Sequence, residues 1–168
     1  MSLHNQLLRQ ARHLATKEPR RPLQASLRRA VSAAYYALFH LLVDDAVCRM
    51  VSAPRYELRD CLRRAFAHAN MRMVAQQFAG TSVSQRLRPG LRGQSVQPDL
   101  VKVARTFVDL QEARHEADYN TAWRTTRPDA LGLIEQTEEA FASWHTVRRT
   151  VQADTFLVGL LAHDKMRA

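Results

Sequence analysis

The run AVSAAYYALFHLLV, residues 30–43, limits the fold more than any other part of this sequence. Only Ser32, His40 and two tyrosine hydroxyls interrupt its apolar character. It lacks the period-two alternation of a half-buried strand and reads as a helix that is apolar nearly all round. Such a helix is stable in water only when other elements enclose it, so it is expected to be the buried centre of the molecule.

The flanking segments supply that enclosure. Leu3, Leu7, Leu8, Ala11 and Leu14 recur at helical spacing and predict a first helix over about 2–17. Glu18-Pro19 stops it, because the residue before proline is pushed out of the helical region. Pro22 then fits the first turn of the central helix, which is expected to run to about Val51. Pro54 opens a third helix through Leu58, Leu62, Phe66, Met73 and Phe78, ended by Gly80. Residues 81–98, TSVSQRLRPGLRGQSVQP, read as one long loop, of the kind that is usually functional or mobile. A fourth helix starts at Pro98-Asp99 and presents Leu100, Val103, Phe107, Leu110 and Ala117 on one face. Thr126-Arg127-Pro128-Asp129 resembles a capping box and begins a fifth, whose face continues through Leu131, Ile134, Phe141, Trp144 and Val147 to Val151. The expectation is an all-α antiparallel bundle of about five helices in one domain, 1–168, with its core at about 20–150.

Charge is strongly asymmetric along the chain. Residues 1–98 carry 16 basic against 5 acidic side chains, and residues 99–168 carry 9 against 11. Between Cys61 and Pro98 there are six arginines, Arg63, Arg64, Arg72, Arg86, Arg88 and Arg92, and no acid. A field of one sign built from planar guanidinium forks suits a polyanion such as RNA, although a solvated basic face gives the same count.

Two cysteines, Cys48 and Cys61, and an N-terminus without an unbroken apolar core point to a reducing cytoplasm. The late apolar run Phe156 to Ala162 is far shorter than the roughly 20 residues of a spanning helix, so no membrane is expected. Cys48, Cys61, His40 and His68 form no close-spaced ligand pair, which argues against zinc. No glycine-rich phosphate loop and no G-x-S-x-G turn call for a cofactor or a serine nucleophile. His40, four residues after Tyr36 within the central helix, reads as a hydrogen-bonded core residue.

Chemistry concentrates at QEARHEADYN, residues 111–120. Arg114 and Asp118 are spaced i,i+4 and share a helix face, whereas Arg114 and its neighbour His115 diverge by about 100°. The central AVSAAYYALFHLLV, then RRAFAHANM, then LQEARHEADYN, in that order over about residues 20–150, resemble the HEPN superfamily of small bacterial helical proteins. The likeness is to the branch with an AYYA-aromatic-H helix and a late R-x-x-A-D-Y motif.

That resemblance implies a homodimer and, in many relatives, a metal-independent endoribonuclease with an R-x4-6-H motif. Its arginine would neutralise the scissile phosphate and its histidine would move protons to or from the attacking 2′-hydroxyl and the leaving oxygen. Here Arg114 is followed five residues later by Tyr119, where relatives place histidine. Proton transfer would then fall to His115 or His68, and the phenol of Tyr119 is a poor carrier at neutral pH. A literal R-x4-H does occur at Arg63 and His68, and Arg64 and His68 are expected one turn apart on the third helix. The catalytic candidates are therefore Arg114, His115, His68 and Tyr119. The candidates for RNA or ligand contact are Arg63, Arg64, Arg86, Arg88, Arg92 and Asp118.

Three function classes follow. One is an RNA-binding or RNA-cleaving protein of toxin–antitoxin or defence type. Another is an inactive nucleotide- or ligand-binding module beside a nucleotidyltransferase partner. The third is a helical protein that serves interaction alone.

Overall fold

The computed structural model describes residues 1–166 and is all-helical across them. Seven α-helices follow one another: α1 Leu3–Thr16, α2 Gln24–Met50, α3 Tyr56–Arg63, α4 His68–Ala79, α5 Pro98–Tyr119, α6 Arg127–Val147 and α7 Val151–Ala162. Short 3-10 turns occupy Arg88–Leu91 and His163–Lys165. The chain divides into two compact units, Met1–His40 with Thr106–Ala142, and Leu41–Arg105 with Ser143–Ala168, and α2, α5 and α6 contribute residues to both.

The central helix is buried as its composition requires: Ala30, Val31, Ala34, Tyr35, Ala37, Leu38 and Leu42 have no solvent exposure. By length and composition α2 is long and apolar enough to cross a membrane, and 78 % of its most apolar window is buried inside the protein. It begins at Gln24, so Pro22 lies before the helix and not in its first turn as the sequence predicted; the Gln24 side chain pairs with the main chain of Thr125. Its Nε2 donates to the Thr125 carbonyl at 2.9 Å and its Oε1 accepts from the Thr125 N–H at 3.1 Å.

In the first unit, α1 buries Ala11 and Ala15, and Arg12 reaches Glu138 on α6 with Nη2 2.8 Å from Oε2. The turn into α6 forms the expected capping box: the Thr126 hydroxyl and N–H both donate to Asp129 Oδ2, at 2.6 and 3.2 Å. These bonds hold the Asp129 carboxyl below its ordinary pKa. Arg127 closes the start of α6 by donating to the carbonyls of Ala15, Glu18 and Pro19.

In the second unit, two expectations are corrected. The single third helix from Pro54 to Phe78 is two helices, α3 and α4, separated by a turn at 64–67. Helix α3 buries none of its residues and is tied by arginines to α2 and to the residue that follows it, with Arg63 Nε on Asp44 Oδ1 and Arg59 Nε on the Val51 carbonyl, each at 2.9 Å. The turn drops Phe66 into the core and lets Met71, Val74, Ala75 and Phe78 follow it on α4, which one straight helix bearing the charged face of α3 would not permit. Arg64 therefore caps α3 while His68 opens α4, and the two do not share a helix face.

The second correction lies at the C-terminal end. The fifth helix stops at Val147, and Thr150 starts α7 by accepting the Ala153 N–H on its side chain. The late apolar run is thus a seventh helix that buries Ala153, Phe156, Leu157 and Leu160. Asp45 of α2 sits nearby as a buried hub, accepting from Trp144 Nε1 at 2.8 Å, Arg148 at 2.7 Å and Arg49 at 3.2 Å.

Residues 80–97 are more tightly held than a mobile loop. Val83, Leu87, Leu91 and Val96 are buried along it. Gly90 passes so close to α7 that a Cβ there would lie 1.9 Å from Thr155 Oγ1, so the position has room for glycine alone.

Candidate functional site

Within the first unit, helix α2 carries a polar stripe at helical spacing: Arg28 and Arg29, Ser32, then Tyr36. Helix α5 carries the matching pair Arg114 and Asp118 one turn apart. Both stripes lie in the first unit, and they meet.

Arg114 is the knot that joins them. Its Nη2 donates to the Tyr36 hydroxyl at 3.0 Å, and its Nε lies 2.8 Å from Asp118 Oδ2. That N–H is poorly aimed along the second contact, so the pair is held by charge more than by a directed hydrogen bond. Three rings surround the guanidinium, with centroids 5.7 Å (Tyr35), 5.5 Å (Tyr36) and 5.4 Å (Tyr119) away. This is an aromatic cage filled by the protein's own cation. Burial is the largest influence on Arg114 and works against its charge, but Tyr36, Asp118 and Tyr119 together outweigh it and hold the pKa above the ordinary arginine value. Tyr35, fully buried, has its hydroxyl pKa pushed up by burial in spite of the arginine beside it.

Asp118 is committed on both oxygens. Oδ2 faces Arg114, and Oδ1 accepts a 2.6 Å bond from the Ser32 hydroxyl. A carboxylate so occupied orients its neighbours and is poorly placed to take a proton from a substrate. Arg28 completes the scaffold by capping the C-terminal end of α5, where its guanidinium donates to the carbonyls of Ala117 at 2.7 Å, Asn120 at 2.8 Å and Trp123 at 3.3 Å.

Beside this knot lies an open groove of about 430 Å³ lined by Ala25, Arg28, Arg29, Ala117, Asp118 and Tyr119. Arg28 is spent on main-chain carbonyls, whereas Arg29 is exposed. Tyr119 is 64 % exposed, with the His115 ring 5.2 Å from its own. The groove therefore offers an exposed cation and an aromatic face that Arg114 steadies from behind.

Of the predicted site residues, Arg114, His115, Asp118 and Tyr119 fall together at the end of α5 in the first unit. His68, Arg63, Arg64, Arg86, Arg88 and Arg92 belong to the second unit. Arg63 is engaged by Asp44 and Asp60 at 2.9 and 2.7 Å, and the bond to Asp44 is the first cause of its raised pKa. Arg64, Arg86, Arg88 and Arg92 are exposed, and Arg86 and Arg88 make only long contacts, both 3.4 Å, to the carbonyls of His163 and Val83. Cys48 and Cys61 are exposed free thiols, and among the described residues no three His, Cys, Asp or Glu side chains converge on a metal position. His40 is half-buried, with its ring against Tyr36 and Phe39.

Sequence reasoning missed Arg28, Arg29, Ser32 and Tyr36 as parts of the site. The signal was available in their spacing, since polar residues at i, i+3 or i+4, and i+7 or i+8 on an otherwise apolar helix mark one face that needs a polar partner.

Comparison of the chain with protein-family models, with curated proteins and with solved structures found no significant match.

Proposed function

We propose that this protein is an HEPN-like cytoplasmic module that binds single-stranded RNA or nucleotides, and that binding, more than cleavage, is its task. The observation that carries this reading is the groove in which exposed Tyr119 and exposed Arg29 lie together. An aromatic face that takes an unpaired base and a free guanidinium that takes its phosphate are the two parts of a single-strand platform, and stacking on such a ring contributes about 1–3 kcal/mol per base. In the second unit, the exposed arginines Arg64, Arg86, Arg88 and Arg92 supply a sequence-independent attraction for polyanions of their own.

Binding is favoured over catalysis because Asp118 is committed on both oxygens and Arg114 is directed to Asp118 and Tyr36. The position that relatives fill with histidine holds a phenol. A homodimer, and a nucleotidyltransferase or antitoxin as partner, belong to the same proposal through the family resemblance.

The test is fluorescence anisotropy with a labelled single-stranded RNA over a series of salt concentrations. The parent should bind with a log–log salt slope of about −0.7 per phosphate contacted. Tyr119→Ala should weaken binding about tenfold or more at every salt concentration, since a lost stack does not depend on ions. Arg29→Gln should flatten the slope by about one contact. Binding indifferent to both changes would remove the groove from the function.

A further inference from the structure

Helix α3 is held by its arginines and leaves its apolar side uncovered. Arg63 reaches Asp44 and Asp60 at 2.9 and 2.7 Å, and Arg59 donates to the Val51 carbonyl at 2.9 Å with its guanidinium 5.9 Å from the centre of the Tyr56 ring. Leu58, Cys61 and Leu62 recur at i, i+3 and i+4, and Ala65 extends the same side into the turn that follows. An amphipathic helix ordinarily turns such a stripe inward. Here Leu58 is 52 % exposed, Cys61 and Ala65 are exposed, and Leu62 is only half-buried.

Two charges identify what covers the stripe. Glu57, in the first turn of α3, and Arg64, its C-cap, are spaced i,i+7 and so lie two turns apart along one flank. Both are exposed, and among the described residues neither forms an ion pair. Asp60, the other acid of α3, is already taken by Arg63.

A second copy of α3 laid over the stripe by a two-fold rotation runs antiparallel to the first. It presents its own Arg64 to Glu57 and its own Glu57 to Arg64, so one ion pair is made twice. Cys61, midway between the two charges on that flank, meets its counterpart, and the helix dipoles oppose one another favourably. A parallel pairing puts the charged flanks on opposite sides and leaves both charges unmatched.

We propose that α3 is the surface through which two copies of this chain pair, antiparallel, about a two-fold axis beside Cys61. The contact is small. An eight-residue helix is about 12 Å long, and one face of it falls short of the roughly 800 Å² per partner of a stable interface. The dimer is therefore weak and concentration-dependent, with a dissociation constant on the order of 10–100 µM. This inference rests on the homodimer of the proposed function and uses no residue of the Tyr119 groove.

Sedimentation velocity of the full-length protein in reductant, from about 5 to about 500 µM, tests it. The parent should pass from monomer to dimer. Leu58→Lys changes an exposed position, so it should keep the parental circular dichroism and stay monomeric. Glu57→Arg sets two like charges against each other at both ends of the contact, and so does Arg64→Glu. Each should weaken pairing about tenfold or more, and the double exchange, which restores both pairs, should return the dissociation constant to within about threefold of the parent's. In Cys48→Ser, a short bismaleimide should join two chains through Cys61, and adding Leu58→Lys should abolish the link. A dimer that survives Leu58→Lys, a double exchange no better than the single ones, or a Cys48→Ser dimer that does not cross-link would overturn this surface and leave the homodimer standing. A parent monomeric at every concentration would overturn both.

Discussion

Replacing Asp118 separates the charge of the Arg114 knot from its shape. In Asp118→Asn the amide oxygen can still accept the Ser32 hydroxyl, but the negative charge 2.8 Å from Arg114 Nε is gone. The two side chains are 16 % and 20 % exposed. That is too enclosed for the 0–1 kcal/mol of a typical surface pair and too open for the 3–5 kcal/mol lost when a fully buried pair is broken, so the expected cost is about 1–2 kcal/mol. Asp118→Ala also strips the 2.6 Å bond from the buried Ser32 hydroxyl, which keeps the Arg28 carbonyl at 3.2 Å; a hydrogen bond to a charged group is worth about 1.5–3 kcal/mol. The alanine variant should therefore lose about 2.5–5 kcal/mol in all. For a chain of this size each kcal/mol lowers Tm by about 2–4 °C, so thermal melting followed by circular dichroism separates the two variants readily. The pH dependence follows from Arg114. Its folded pKa is raised above the already high unfolded value, so its contribution is complete below the unfolded value and is lost only as pH rises through the higher folded one, in strongly alkaline solution. The gap between parent and Asp118→Asn should accordingly be flat from about pH 6 to about pH 9. A Tm for Asp118→Asn equal to the parent's, or an alanine variant no worse than the asparagine one, would refute the reading of the knot.

Leu38→Asp places an unpaired charge at a fully buried position of α2 and should abolish folding, visible as loss of the helical circular dichroism signal. Asp45→Ala leaves the indole N–H of fully buried Trp144 without an acceptor and should cost about 2–4 kcal/mol in urea unfolding; in Trp144→Phe the same change should cost measurably less. Replacing Arg86, Arg88 and Arg92 together by Gln should reduce the salt slope of RNA binding by up to about 2 units, and an unchanged slope would leave them as plain surface. RNA incubated in EDTA with the parent, Arg114→Ala, His68→Ala, His115→Ala and Tyr119→Phe should show no cleavage above background. Cleavage by the parent that is lost in Arg114→Ala and in one histidine variant would instead establish a metal-independent ribonuclease and identify its base, since a positioned acid–base group is worth about 10²–10⁴-fold in rate.

Much of the site was visible in QEARHEADYN alone, because i,i+4 spacing on a helix brings Arg114 onto Asp118 wherever that helix lies. What surrounds the pair was not visible. Ser32 and Tyr36 stand about 80 residues away in sequence, and only packing could tell that they complete the knot or that Tyr119 stays exposed while Tyr35 is buried. Arg64 and His68 show the opposite case: their spacing promised one face, and the turn that buries Phe66 took it away.

By itself the sequence determined what local periodicity and capping determine: an all-helical chain, a buried centre at 30–43, the buried face Leu100, Val103, Phe107, Leu110, Ala117, and the Thr126–Asp129 start of α6. The tertiary structure decided where helices break and which polar groups are satisfied. Both are settled by burial against residues distant in the chain: Phe66 entering the core splits one predicted helix, α7 arises where Thr150 caps a new turn, and Asp45 becomes a hub only once Trp144, Arg148 and Arg49 converge on it. A helical period states which residues share a face. It carries no information on what that face will meet.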